Sequence, residues 1–156
     1  MNVTMMLCDH AQVAGGKLFI AGGGWSATDT PTAPSAIALI ISVPWDRTNS
    51  RIQFALALTD QDGRAVSQMG PQGAVPTRIE GQVEVGRPPG VKPGSPIDVP
   101  LAFNVQSMLL DADSRYTWEL TLDGEQQDSW TLSFATRPRQ APAGGYGPSD
   151  IGFPRG

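Results

Sequence analysis

Hydrophobic and polar residues alternate along most of this chain with a period of two, and no window sustains an apolar period near 3.6. Residues 51–58 give the clearest case, with Ile52, Phe54, Leu56 and Leu58 on one face and Gln53, Ala55 and Ala57 on the other. Residues 77–85 set Ile79, Gly81, Val83 and Val85 against Arg78, Glu80, Gln82 and Glu84, the pattern of a half-exposed strand with a charged outer face. The run AIALIISV at 36–43 is continuously apolar, rich in β-branched residues and stopped by Pro44, which predicts a central strand. Residues 115–122 carry Tyr116, Trp118, Leu120 and Leu122, Asp123-Gly124 turns the chain, and 127–136 returns with Trp130, Leu132 and Phe134 inward.

Weaker patterns complete the set. Residues 2–8 are rich in strand formers and are interrupted at Asp9-His10; Gly15-Gly16 then turns the chain into 17–21, with Leu18 and Ile20 on one face. Three consecutive glycines, Gly22 to Gly24, predict a bulge or a crossing between sheets, and 28–34 reads as a loop. Asp60-Gln61-Asp62-Gly63 is a turn signal with 64–69 as its return strand, and 70–76 reads as a loop. Residues 86–96 (GRPPGVKPGSP) form a polyproline-like crossover. Residues 97–105 contain Pro100, which lacks the ladder donor and so marks an edge strand or a bulge.

Seven to nine short strands at regular spacing predict an all-β fold, specifically an immunoglobulin-like β-sandwich. The spacing from Leu110 to Tyr116 fits a tyrosine corner, in which the tyrosine hydroxyl bonds back to upstream backbone. The expected organisation is one domain over 1–136 and an irregular glycine- and proline-rich tail over 137–156. Tyr146, Ile151 and Phe153 are spaced through that tail and mark it as a segment for docking on a partner or a neighbouring copy.

Charge narrows the function. The net charge is −4, Lys17 and Lys92 are the only lysines, and the arginines stand singly, so no basic stripe is available for phosphate backbones or anionic lipid surfaces. No nucleic acid and no membrane partner is expected. Cys8 is the sole cysteine, which favours a reducing compartment, and residues 1–10 lack the basic n-region of a signal peptide. The expected address is cytoplasmic.

Candidate chemistry is thin. Cys8 and His10 would share a strand face, but no third group is indicated to orient the imidazole, and one Cys with one His falls short of a zinc site. The aspartates at 60, 62, 111 and 113 resemble calcium-loop donors without the closing glutamate, and turn chemistry explains them. Gly22 to Gly24 lacks the Lys-Ser/Thr of a phosphate loop. Asp46, Asp98 and Glu119 are available for carboxylate chemistry, yet nothing sets them apart from surface acids. No catalytic residue, cofactor or metal is therefore assigned. Trp45 is the exception among the aromatic residues: it sits between Pro44 and Asp46 where the most apolar strand ends, a position for an exposed anchor or for a plug over the sandwich end.

Asp9, Gly16-Lys17-Leu18, Gly24-Trp25, Pro44-Trp45-Asp46, Ile79-Glu80-Gly81, Val85 to Gly90 and Pro96 to Asn104 together resemble a family of small uncharacterised proteins common in actinobacteria, catalogued as a domain of unknown function. The resemblance covers about residues 1–137. It implies a single soluble domain and brings no catalytic residues. The resulting expectation is a non-enzymatic interaction or assembly module that binds a protein partner or itself through sheet edges, loops and tail, with Trp45, Tyr146, Ile151 and Phe153 as contact residues. The alternative is a small-ligand or carbohydrate-binding module that stacks its ligand on Trp45, Trp25 or Tyr146.

Overall fold

A computed structural model describes residues 1–139, and its regular structure is almost wholly strand. Eleven strands run in order: β1 (Asn2–Ala14), β2 (Lys17–Gly23), β3 (Ala27–Thr28), β4 (Ser35–Val43), β5 (Ser50–Asp60), β6 (Ser67–Gly70), β7 (Gly73–Pro76), β8 (Arg78–Val85), β9 (Ile97–Val105), β10 (Arg115–Leu122) and β11 (Glu125–Thr136). One 3-10 turn at Trp45–Arg47 is the only helical element among the described residues. The count exceeds the seven to nine expected because β3 and β7, which fall in segments read as loops, are too short to show a period in the sequence.

Two sheets carry the fold. One has the order β2-β1-β4-β9, the other β3-β11-β10-β5-β8. All pairings are antiparallel except β3 on β11, which is parallel. Their inner faces share one core, to which the first sheet gives Leu7, Ile37, Leu39, Ile41 and Val43 and the second gives Ile52, Leu56, Leu58, Trp118, Leu120, Leu122, Trp130 and Phe134. These are the positions that a period-two reading places inward.

The chain switches sheets between β2 and β3, at Gly24-Trp25-Ser26, so the glycine triplet does mark a crossing. Pro100 lies in β9, at the edge of its sheet, where a missing donor leaves no inter-strand bond unmade in the interior. The Asp60 turn forms as read, with Asp60 Oδ1 accepting the N–H groups of Asp62 and Arg64 and Gly63 at a positive φ. Its sequel differs. The return segment bridges β5 only at Thr59–Ala65, then peels away as β6 to pair with β7 in a separate hairpin, so 73–76 is a strand and not part of a loop. Residues 64–69 have too few apolar positions to hold a long ladder against β5, whose flank is taken instead by β8.

Strand β1 also runs through Asp9-His10 to Ala14 rather than stopping at Cys8. Leu7 belongs to the main core, whereas Cys8 and Ala11 share a second cluster with Ala36, Ala38, Leu18 and Ala102. Strict alternation cannot put residues 8 and 11 on one side, so the strand changes phase across Asp9-His10. Beyond that point the β1–β2 hairpin folds across the outer side of its own sheet and brings β2 against β9.

Tyr116 supplies the predicted corner contact. It is buried against Phe134, and its hydroxyl accepts the backbone N–H of Asp111 at 2.9 Å. Tyr116→Phe leaves that partly buried donor without its acceptor and should cost about 1–2 kcal/mol of stability, read from urea denaturation as a lower midpoint with an unchanged slope.

Candidate functional site

Among the described residues the two main sheets have four outermost strands, and each must be defended or used, because an edge strand presents unpaired N–H and C=O groups to any other strand. Three are defended. β8 carries exposed Arg78, Glu80, Gln82 and Glu84, with Arg78 and Glu80 ion-paired at 3.1 Å. β9 contains Pro100, and β3 is only two residues long.

The fourth edge, β2, reads KLFIAGG and bears a single charge, Lys17, at its start. Among the described residues β1 is its only strand partner. Phe19 is 51% exposed and Ile20 42%, and Val13 on the neighbouring strand is 43% exposed. The register pairs Ala11 with Ile20 and Val13 with Leu18 on one face of the hairpin, and Gln12 with Phe19 on the other. Leu18 alone of the β2 residues turns inward, into the alanine cluster. A second group of exposed apolar residues, Met69 and Val75 on the β6–β7 hairpin and Leu109, sits on strands of four residues and on a loop, where little ladder is available.

Local geometry holds the β2 edge in place. Gly22 has a φ of 61°, and a Cβ there would run into the Asp9 carboxylate, so no other residue fits without displacing Asp9. Gly24 N–H donates to the Leu7 carbonyl at 2.8 Å and fixes the exit toward the second sheet. There an open groove of about 640 Å³ runs beside the edge, lined among others by Asp9, Gly22, Gly23, Trp25, Asp29 and Arg137. Trp25 meets Phe134 edge-on at 5.8 Å between centroids and is partly buried against the core.

Trp45 lies far along the fold, at the end of β4 in the 3-10 turn, and is half-buried. The Arg87 guanidinium stacks over its ring at 3.8 Å, donates from Nε to Thr48 Oγ1 at 2.7 Å and from an Nη to the Trp45 carbonyl at 3.0 Å. One face of the indole is thus taken by Arg87 at the start of the crossover, and a shallow groove with Met1, Asp46 and Pro96 remains beside it. Tyr146, Ile151 and Phe153 lie outside the described residues, so no juxtaposition of Trp45 with them is available. Phe19, Ile20 and Val13 were not singled out from the sequence. Their signal, an apolar strand without a charge from Leu18 to Gly24, is visible there, but only sheet order makes it an edge.

Cys8 and His10 do not form a pair. The thiol is fully buried and donates to the Ala36 carbonyl at 3.5 Å, whereas His10 is exposed. No group of three or more His, Cys, Asp or Glu positioned to hold a metal occurs among the described residues. No helix among them is long and apolar enough to cross a membrane. In comparisons with known proteins, a model described as "Family of unknown function (DUF6941)" matches residues 3–135. No curated protein and no solved structure matches the chain.

Burial, then the neighbouring Asp9 charge, push the Cys8 thiol above its ordinary value. The reactive thiolate is therefore suppressed at neutral pH in the folded chain. Being raised, the folded value makes Cys8 a stabilising contributor below the ordinary thiol range, and that contribution fades as pH rises through the folded value. Native protein at pH 8 should react with a disulfide reagent far more slowly than protein unfolded in urea; rapid stoichiometric labelling of the native chain would contradict the burial.

Proposed function

The chain belongs to the DUF6941 family, whose function is unknown, and from that premise we propose that it is a non-enzymatic interaction module that recruits its partner by strand addition at β2. The observation that carries this reading is the contrast between edges. Charges, a proline or shortness protect three of them, while β2 offers seven residues of ladder with Phe19 and Ile20 exposed and nothing to repel an incoming strand. Strand addition supplies affinity through backbone hydrogen bonds and selectivity through alternate side chains, which here are Phe19 and Ala21 on one side and Ile20 on the other. The segment 137–156, with Tyr146, Ile151 and Phe153, begins next to the same groove at Arg137 and is assigned as a second contact element.

We read the two sheets as an immunoglobulin-like sandwich. The strand order, the β10–β11 hairpin, the Tyr116 corner and the short parallel β3 on β11 support this assignment. An actinobacterial cytoplasm is the proposed setting, supported by the motif resemblance and by a sole cysteine that is a buried free thiol.

Ligand stacking has weaker support. Arg87 covers one face of Trp45, and Trp25 packs edge-on to the core.

Affinity capture from a lysate of the native source, with the full-length chain as bait, tests the reading when run beside Phe19→Lys and Ile20→Lys. Both positions are over two-fifths exposed, so both variants should keep the native circular dichroism spectrum. Associations of the wild type, with itself or with another protein, should be lost in both. If wild type and variants behave alike in every association, strand addition at β2 is wrong.

A further inference from the structure

Resting on the strand-addition reading, we infer that the occupant of the β2 edge is β2 of a second copy, paired antiparallel about a two-fold axis at Ile20, so that the two β1–β2 hairpins join into one four-stranded ladder.

Charge placement selects this arrangement. β2 is polar at its two ends in opposite senses: Lys17 stands at its start, while its far end, Ala21 to Gly23, runs beside Asp9 and His10 of β1, with the Asp9 carboxylate over Gly22. Antiparallel pairing sets Lys17 of each copy against the far end of the other, where Asp9 is the nearest charge on the flanking strand. Parallel pairing would set lysine against lysine. The middle of the strand is self-complementary as well. With the axis at Ile20, the two Ile20 residues face each other and each Phe19 lies opposite the small Ala21 of the other copy, with no charge between them.

Symmetry gives a second argument. Pairing β2 with any other edge of a like chain would be head-to-tail and would propagate, and those edges carry the charges of β8, Pro100 of β9 or only the two residues of β3. Pairing β2 with itself is isologous. It closes at two copies and covers the longest edge among the described residues that carries neither a proline nor a row of charges.

Light scattering during size exclusion of the full-length chain should give twice the 16.5 kDa mass at high loading. Ile20→Lys and Phe19→Lys, checked by near-ultraviolet circular dichroism for retained folding, should run as monomers. Lys17→Glu places like charges beside Asp9 at two symmetric positions and should raise the dimer dissociation constant by roughly two- to thirty-fold at low salt, and Lys17→Glu combined with Asp9→Lys should recover most of it. Three results overturn the inference: a wild-type monomer at the highest soluble concentration, a dimer that both edge variants leave intact, or a dimer indifferent to Lys17→Glu. Hydrogen exchange of the β2 amides separates the remaining occupants. A monomer with slow exchange there has its edge covered by its own chain, and one with fast exchange leaves it open. A monomer that still captures a different protein through Phe19 and Ile20 removes the second copy as occupant but keeps strand addition, whereas loss of every edge-dependent association removes both.

Discussion

The structure depends on β4 being buried from two sides. Its inward residues Ile37, Leu39, Ile41 and Val43 fill the core between the sheets, while Ala36 and Ala38 on the other side are covered by the folded-over β1–β2 hairpin. Alanine at those positions, flanked within the sheet by Cys8 and Ala102 and faced by Ala11, lets backbone approach backbone closely; larger side chains would hold the hairpin off. The left-handed conformation of Gly22 under Asp9 accompanies the turn-over, at the place where β1 changes phase. A sheet packed on both sides normally needs a third layer of structure. Here the same sheet supplies it by curling.

That curl fixes where β2 ends up. Leu18 is drawn into the alanine cluster and anchors the strand, so Phe19, Ile20 and the outward ladder groups are left on a rigid support. A strand offered to a partner from a fixed position needs little ordering on binding, which preserves the affinity of backbone hydrogen bonds. Arg87 pins the crossover to Trp45 and Thr48. The far end of β2, Trp25 and Arg137 lie together on one side of the molecule, around a single groove.

Much of the fold was legible because period-two alternation depends on local geometry alone. Strands β4, β5, β8, β9, β10 and β11 fall within two residues of where hydrophobic spacing puts them, and the Tyr116 contact follows from a six-residue interval. The short strands β3 and β7 were not, since two or four residues carry no period. The fate of residues 64–76 was misread because a turn fixes only its own four residues. Which strand flanks β5 is settled by competition, and β8 wins with eight alternating residues.

The candidate site divides along the same line. Trp45 could be placed at the end of a buried strand from Pro44 and the preceding apolar run, but its capping by Arg87, forty-two residues on, is a long-range contact that spacing does not encode. Phe19 and Ile20 are ordinary strand residues in the sequence. By itself the sequence determined that this chain is built from strands, which residues of the long strands point inward, and that it lacks the charge pattern for nucleic acid, because those properties follow from backbone geometry and residue counts. Only the tertiary structure decided that β2 is an edge and that its apolar residues stay in water, because neighbours in a sheet are chosen by contacts among distant segments.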